Sequence, residues 1–261
     1  MAAVHRKKVV WARGASAPVL LLLGVAGSGK TQLGHLLSGR QRADDDRSAT
    51  NGVRCYQLQQ QQQQSEFAAV ASITEVGGSA EMQRLWPHYY ASSHALIYCY
   101  DIGGSYEQLR RSFELLQRCL QHAALRGKPV LLVASRDSES VQLYDIEHAF
   151  NLEQLARGSN CPLHLCHMLQ PAQLRAGMQW LLRLLQAQAP ALAQRIKYDL
   201  NLMSWQQRKR TLLSSSKLAQ VHRQRFHRAH RKLWPMPQAA ASSNLPQPRP
   251  CTAPSVIFVV R

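Results

Sequence analysis

The sequence predicts an α/β fold: a mostly parallel sheet with helices on both faces, plus a basic C-terminal extension. Three observations predict it. Strand and helix patterns alternate from Pro18 to Ala189. The first strand runs directly into a glycine-rich turn and then a helix. Beyond Pro190 the composition changes, with thirteen Lys/Arg against the single acid Asp199 over 191–261.

The 261 residues suit one such domain and an extension, since a domain takes about 100–200 residues. An apolar share of 45% is enough to bury a sizeable core. No apolar run approaches the roughly 20 residues of a membrane span. The start, Met1 to Lys8, is basic, but Val19–Leu23 is too short for a signal-peptide core. Ala2 stands where an N-myristoylation glycine would, and Val259-Val260-Arg261 is no prenylation box, so neither lipid is expected.

The elements follow in order. Val19–Leu23 is a continuous apolar run, as in a strand buried on both faces. Thr31 to Leu37 places Leu33, Leu36 and Leu37 on one helix face, stopped near Gly39. Polar residues including Asp44, Asp45 and Asp46 lead to a weak strand at Val53–Leu58. A run of six glutamines, Gln59–Gln64, reads as a low-complexity insertion at a hairpin tip. Phe67–Val76 returns as the antiparallel partner. Ala95–Tyr100 and Val130–Ala134 are buried strands, with Leu109, Phe113, Leu116 and Leu120 at helical spacing between them. Cys161–Cys166 is the last strand. Leu174, Met178, Leu181 and Leu185 then mark an amphipathic closing helix.

The expected organisation is a basic segment over 1–16, a domain over 17–190 and a tail over 191–261. The tail is basic and partly helical to Trp234, then rich in Pro, Ala and Ser and disordered. The six cysteines are scattered without a CxxC pair, which favours free thiols in a reducing compartment. Cys161-Pro162-Leu163-His164-Leu165-Cys166-His167 has zinc-ligand residue types. A structural zinc prefers four regularly spaced loop ligands, so a buried strand with polar ends is the favoured reading.

Gly24-Val25-Ala26-Gly27-Ser28-Gly29-Lys30-Thr31 fits GxxxxGK[ST] between a strand and a helix, which predicts a P-loop NTPase. The glycines let backbone N–H groups point at phosphate oxygens, and the helix N-terminus adds partial positive charge. Lys30 is expected at the β and γ phosphates and the Thr31 hydroxyl on Mg²⁺.

A second stretch narrows the class. Glu75-Val76-Gly77-Gly78-Ser79, then Leu85-Trp86-Pro87-His88-Tyr89-Tyr90 and a strand ending in Asp101, resembles switch II of the ADP-ribosylation-factor-like small GTPases. That family has D-V-G-G-Q followed by L-W-x-x-Y-[FY]. Ala49-Thr50-Asn51-Gly52 is similar to its P-T-x-G switch I, and Met178-Gln179-Trp180-Leu181 to its G-L-x-W-L helix. The resemblance spans about Pro18 to Ala189 and implies a divergent member that binds GTP/GDP with Mg²⁺. Thr50 would cover Mg²⁺ and the γ-phosphate, and the Gly78 N–H would touch that phosphate. The loops would then order or relax with nucleotide state. Thr31, Thr50 and Glu75 form the implied metal set.

Three departures qualify the implication. Glu75 stands where the family has Asp, one methylene longer, which alters its water-mediated hold on Mg²⁺. Ser79 stands where the family has the Gln that orients the attacking water, so slow hydrolysis is expected. The guanine box N-K-x-D is missing: Ser135-Arg136-Asp137-Ser138 occupies its place. A one-residue slip would offer Asp137 to the base, with Arg136 stacked beside it. Cys166-His167-Met168 replaces the S-A-K loop, where only a backbone N–H is needed.

Three functions stay open on these residues: a GTPase switch, a pseudoGTPase acting as an interaction scaffold, and a P-loop kinase. The resemblance implies guanine nucleotide and switch-reading effector proteins as partners, a monomeric chain, and work in membrane or ciliary traffic. The implied location is cytoplasmic, with peripheral-membrane or ciliary association. Arg223, Arg225, Arg228, Arg231 and Lys232, with Phe226, Leu233 and Trp234, make a basic segment with apolar anchors. It suits contact with an anionic membrane or RNA, or serves only as a solvated extension.

Overall fold

Four leucines in a row need burial on both sides, and β1 (Val19–Leu23) provides it. Leu20 and Leu22 enter one core and Leu21 and Leu23 the other. The computed structural model describes residues 17–40, 50–58, 71–138, 141–214, 220, 222–225 and 227–228. β2 (Val53–Gln57) and β3 (Ser72–Val76) pair antiparallel. β4 (Ala95–Asp101), β5 (Val130–Ser135) and β6 (Leu163–His167) complete a six-stranded sheet of order β2-β3-β1-β4-β5-β6. Every pairing except β2 with β3 is parallel. The glutamine run and the expected start of the returning strand at Phe67 lie outside the described residues.

α1 (Lys30–Ser38) ends at Gly39, in the left-handed conformation expected of a helix stop. Its core face is set by Lys30, Leu33 and Gly34, with Leu37 packed partly against the core. At about 100° per residue, Leu36 lies about 110° from the centre of that face. Leu36 is accordingly exposed, and its expected place in the core is corrected.

α2 (Ala80–Gln83) and α3 (Pro87–Tyr90) are short turns of helix joined at Arg84–Trp86. α4 (Tyr106–Leu120) opens on a capping box between Ser105 and Gln108, and it buries Leu109, Phe113, Leu116 and Leu120. α5 (Leu143–Ala149) and α6 (Leu152–Ser159) lie with α4 against one face of the sheet. α7 (Pro171–Ala187) covers the other face with α1, through Leu174, Met178, Leu181 and Leu185. β6 begins at Leu163 rather than Cys161. Pro162 has no N–H to give to a ladder, though its carbonyl accepts from Val130.

α8 (Ala189–Ser214) follows, with Leu192 and Ile196 buried. The compact unit that holds the sheet ends at Gln207. In the unit beginning at Arg208, the described residues Arg223, Arg225 and Arg228 are helical and exposed. Arg231, Lys232, Phe226, Leu233 and Trp234 lie outside the described residues. No helix among the described residues is long and apolar enough to cross a membrane.

The parallel strands direct the loops after β1, β3, β4, β5 and β6 to one rim. β1 has β3 on one side and β4 on the other. Ligands of open α/β sheets bind at such a rim, beside the reversal of strand order.

Candidate nucleotide site

Gly24–Thr31 links β1 to α1 at that rim. Gly29 takes φ 81°, and a Cβ there would stand 2.8 Å from the Ser135 Cβ, so the loop needs a glycine at this point. The Ser28 N–H donates to the Val25 carbonyl, closing a tight turn. Lys30 folds back and donates to the same carbonyl at 2.7 Å. Burial lowers the Lys30 pKa, while nearby Cys99 and Glu75 act to raise it. The Cys99 thiol is pushed up to about 12 by burial and donates neutrally to the Ser28 carbonyl at 2.7 Å. No side chain among the described residues caps the start of α1, and no acid stands in its first turn. The rim therefore carries an uncapped helix N-terminus with the Lys30 ammonium beside the loop, an arrangement suited to an anion.

Three oxygens from three elements meet beside this loop. Thr31 Oγ1 donates to Glu75 Oε1 at 2.7 Å and lies 3.0 Å from Thr50 Oγ1. Thr50 Oγ1 donates to the same Glu75 oxygen at 3.3 Å. The second carboxylate oxygen of Glu75 accepts from the Tyr56 hydroxyl at 2.7 Å. Glu75 is wholly buried and Tyr56 nearly so. Burial first, and then the Glu75 bond and charge, raise the Tyr56 pKa, so the phenol holds its proton. Two hydroxyls and a carboxylate clustered at one point are the hard oxygen ligands that Mg²⁺ prefers, so the residues fit that ion.

The segment after β3 is fastened to both loops. The Gly77 N–H donates to the Gly52 carbonyl, and the Trp86 indole N–H donates to the Gly77 carbonyl at 2.9 Å. Trp86 is thereby buried for a polar reason as well as an apolar one. Gly78 packs so tightly on Gly24–Ala26 that a Cβ would stand 2.4 Å from the Gly24 oxygen. Its carbonyl accepts from the Ala26 N–H at 3.1 Å and from Gln83 Nε2 at 2.9 Å. Ser79 is the N-cap of α2, its hydroxyl accepting from the Met82 N–H at 3.3 Å.

The loops after β5 and β6 behave differently. Ser135 is buried against Gly29 and donates to the Tyr100 carbonyl at 3.1 Å. Arg136 takes φ 55° and pairs with Asp101 at 2.9 Å. Asp137 is exposed, its carboxylate accepting from the Ser138 N–H at 3.1 Å. The Ser138 hydroxyl accepts from Val141 N–H. The N–H groups of His167, Met168 and Leu169 donate in turn to the Gln173 side chain, the Ala134 carbonyl and His167 Nδ1.

The structure thus brings Gly24–Thr31, Thr50, Glu75 and Gly78 to one place, with Ser135 touching it. Sequence reasoning missed Tyr56 and Gln83. Tyr56 did leave a signal, as the one aromatic residue of β2, in a strand predicted to pair with the one that carries Glu75.

A P-loop rim on this strand order defines a nucleotide-binding α/β domain. The model of the ADP-ribosylation factor family matches residues 8–185, and the chain belongs to that family. It is 28% identical over 169 residues to ADP-ribosylation factor-like protein 15 of Homo sapiens, covering 64% of this chain and 79% of that protein. To ADP-ribosylation factor-related protein 1 of Homo sapiens it is 32% identical over 113 residues, covering 42% and 55% respectively. Among solved structures, the Arl6 BBS3 small GTPase from Trypanosoma brucei with bound nucleotide analogue GppNp has a similar fold. Its TM-score is 0.54 at 19% identity, covering 66% of this chain and 99% of that one.

Proposed function

We propose that the chain is a Mg²⁺-dependent switch that binds GTP and GDP and hydrolyses GTP slowly. The observation that carries this reading is the convergence of Thr31, Thr50 and Glu75 beside Lys30. Thr31 and Thr50 would hold the ion directly and Glu75 through water. The ion's chemistry is to offset negative charge on the β and γ phosphates. The Gly24–Gly29 loop and Lys30 would hold the phosphates, and the Gly78 N–H would touch the γ-phosphate. Thr50 and Gly78 sit on loops hydrogen-bonded through Gly52 and Gly77, so gain or loss of one phosphate acts on both loops together. Effector proteins that read those loops would carry the signal into membrane or ciliary traffic. The basic tail would add contact with an anionic membrane or RNA.

Family membership sets the kinase reading aside. The scaffold reading keeps one specific support: Ser79 caps α2 instead of reaching toward an attacking water. Serine is too short to span that gap, so hydrolysis is expected at or below roughly 10⁻⁴ s⁻¹.

The test is release of labelled GDP and GTP from the full chain, with and without Mg²⁺. Both nucleotides should be retained in Mg²⁺ and leave at least about tenfold faster after chelation. Failure to bind either nucleotide would leave the scaffold reading standing.

A further inference from the structure

Glu75 has a chain one methylene longer than the family's aspartate, and the structure contains what that extra length calls for. The carboxylate carries two oxygens with separate tasks. Oε1 takes the hydroxyls of Thr31 and Thr50, and Oε2 takes the phenol of Tyr56 at 2.7 Å. The phenol reaches Glu75 from the neighbouring strand of the antiparallel pair, where Tyr56 lies opposite Ile73 and Arg54 lies opposite Glu75. Its ring passes across α1 at Gly34, where a Cβ would stand 2.5 Å from the ring carbon Cε2 and 2.7 Å from Cζ. The His35 ring closes on it edge to face at 5.4 Å between centroids. β2, β3 and α1 thus each give up something to this arrangement: a buried phenol, a buried acid and a missing side chain.

A glutamate has one more rotatable bond than an aspartate, so its carboxylate has more positions to choose between. A ligand that wanders loses metal affinity, and partners that fix ligand orientation restore it. From these contacts, and resting on the nucleotide-switch reading above, we infer that Tyr56 is a positioning residue for the metal site. It locks the rotamer of Glu75 so that Oε1 faces Thr31 and Thr50, and Gly34 keeps open the space the ring requires. The phenol stays protonated throughout and gives no proton away. Tyr56 lies in the strand between the two switch loops. Its bond to Glu75 therefore also ties the metal site to the β2–β3 pair, the part of the sheet farthest from β6.

The test uses the full chain loaded with fluorescent GDP, comparing the parent with Tyr56→Phe. Phenylalanine keeps the ring between β2 and α1 and removes only the hydroxyl. Two rates are read: nucleotide release across a Mg²⁺ titration, and release in excess chelator. The inference expects the half-saturating Mg²⁺ concentration to rise roughly 10-fold or more, with the chelator rate unchanged within about twofold. A Gly34→Ala variant, which crowds the ring and leaves the hydroxyl in place, should shift the Mg²⁺ dependence in the same direction. In the Tyr56→Phe background, Glu75→Asp should recover part of the lost Mg²⁺ affinity, because the shorter acid has fewer rotamers to fix.

Equal Mg²⁺ half-saturation in parent and Tyr56→Phe would overturn the inference. So would a parallel change in both release rates, which is what a purely structural phenol would give. Neither result touches the switch reading, which fails only if the parent itself shows no Mg²⁺-dependent nucleotide retention.

Discussion

The two halves of the rim arrange their polar side chains differently. At the end nearest β1 and β3, the side chains of Thr31, Thr50 and Glu75 turn toward one another from three separate elements. Near the ends of β5 and β6, Ser135, Asp137 and Ser138 bond to adjacent main-chain groups, and Arg136 pairs with Asp101. The N–H groups of His167, Met168 and Leu169 are likewise taken by acceptors of the same chain. A base entering this second half would have to compete with bonds already made, as phosphates would with the bonds of the Ala26 and Ser28 N–H groups and of Lys30 in the first. The lesson is that phosphate binding and base reading are separable parts of one fold. In this chain the first keeps the full GxxxxGK[ST] pattern, and the second carries Ser135, Arg136, Asp137 and Ser138, each already bonded within the chain.

The largest effect should come from breaking the first half. Lys30→Ala removes a charge-assisted bond, and GTP affinity should drop roughly 100-fold, about 3 kcal/mol. Fluorescence titration checks it, with circular dichroism to show that the domain still folds.

Next comes Ser79→Gln, which restores the side-chain type that orients water. Phosphate release in a single turnover should speed up by roughly tenfold, below the roughly 100- to 10,000-fold of a fully placed proton-transfer group. No gain would place the defect at the Glu75 side of the site.

A smaller effect is expected in the second half. Asp137 is exposed and accepts the Ser138 N–H with one carboxylate oxygen, so Asp137→Asn should alter GTP affinity by less than about threefold. A strong shift toward xanthine nucleotides would instead make Asp137 a base ligand.

His94, just before β4 at the end of the sheet opposite the rim, leaves both halves alone. His94 is buried, accepts from the Val19 N–H at Nδ1, and has its pKa lowered to about 4 by burial and then by Lys128. The unfolded chain then binds more protons than the folded one between pH 4 and about 6.5. Stability is fully present above pH 6.5 and should fall by about 1–3 kcal/mol as pH drops through that window. Thermal melts across that range check the trend, and His94→Asn should flatten it. Nucleotide lost in acid along with the melt would then reflect unfolding, with no bearing on either half of the rim.

The fold was legible because apolar runs and helical spacing report burial directly. Val19–Leu23, Val130–Ala134 and the leucines of α7 are each where their spacing placed them. Leu36 misled because three leucines close together in a short helix do not identify which of them faces the sheet. That was decided by Gly34 and Lys30 on the core side. The glycine-rich turn between β1 and α1 was legible because a turn packed that closely restricts its residue types. The Tyr56–Glu75 bond was not, since it depends on the register in which β2 pairs with β3. Nor were the bonds made by the second half. A list of Ser, Arg and Asp names the available donors and acceptors and leaves their partners open.

One measurement bears on the central claim most directly: equilibrium titration of the full chain with GTP and with ATP, in Mg²⁺ and in chelator. Phosphate-led binding predicts that both triphosphates bind in Mg²⁺ and weaken without it. It also predicts a GTP preference below about 100-fold, against the roughly 10⁴-fold that a base site built on matched hydrogen bonds supports. A preference of that larger size, or binding indifferent to Mg²⁺, would contradict the account.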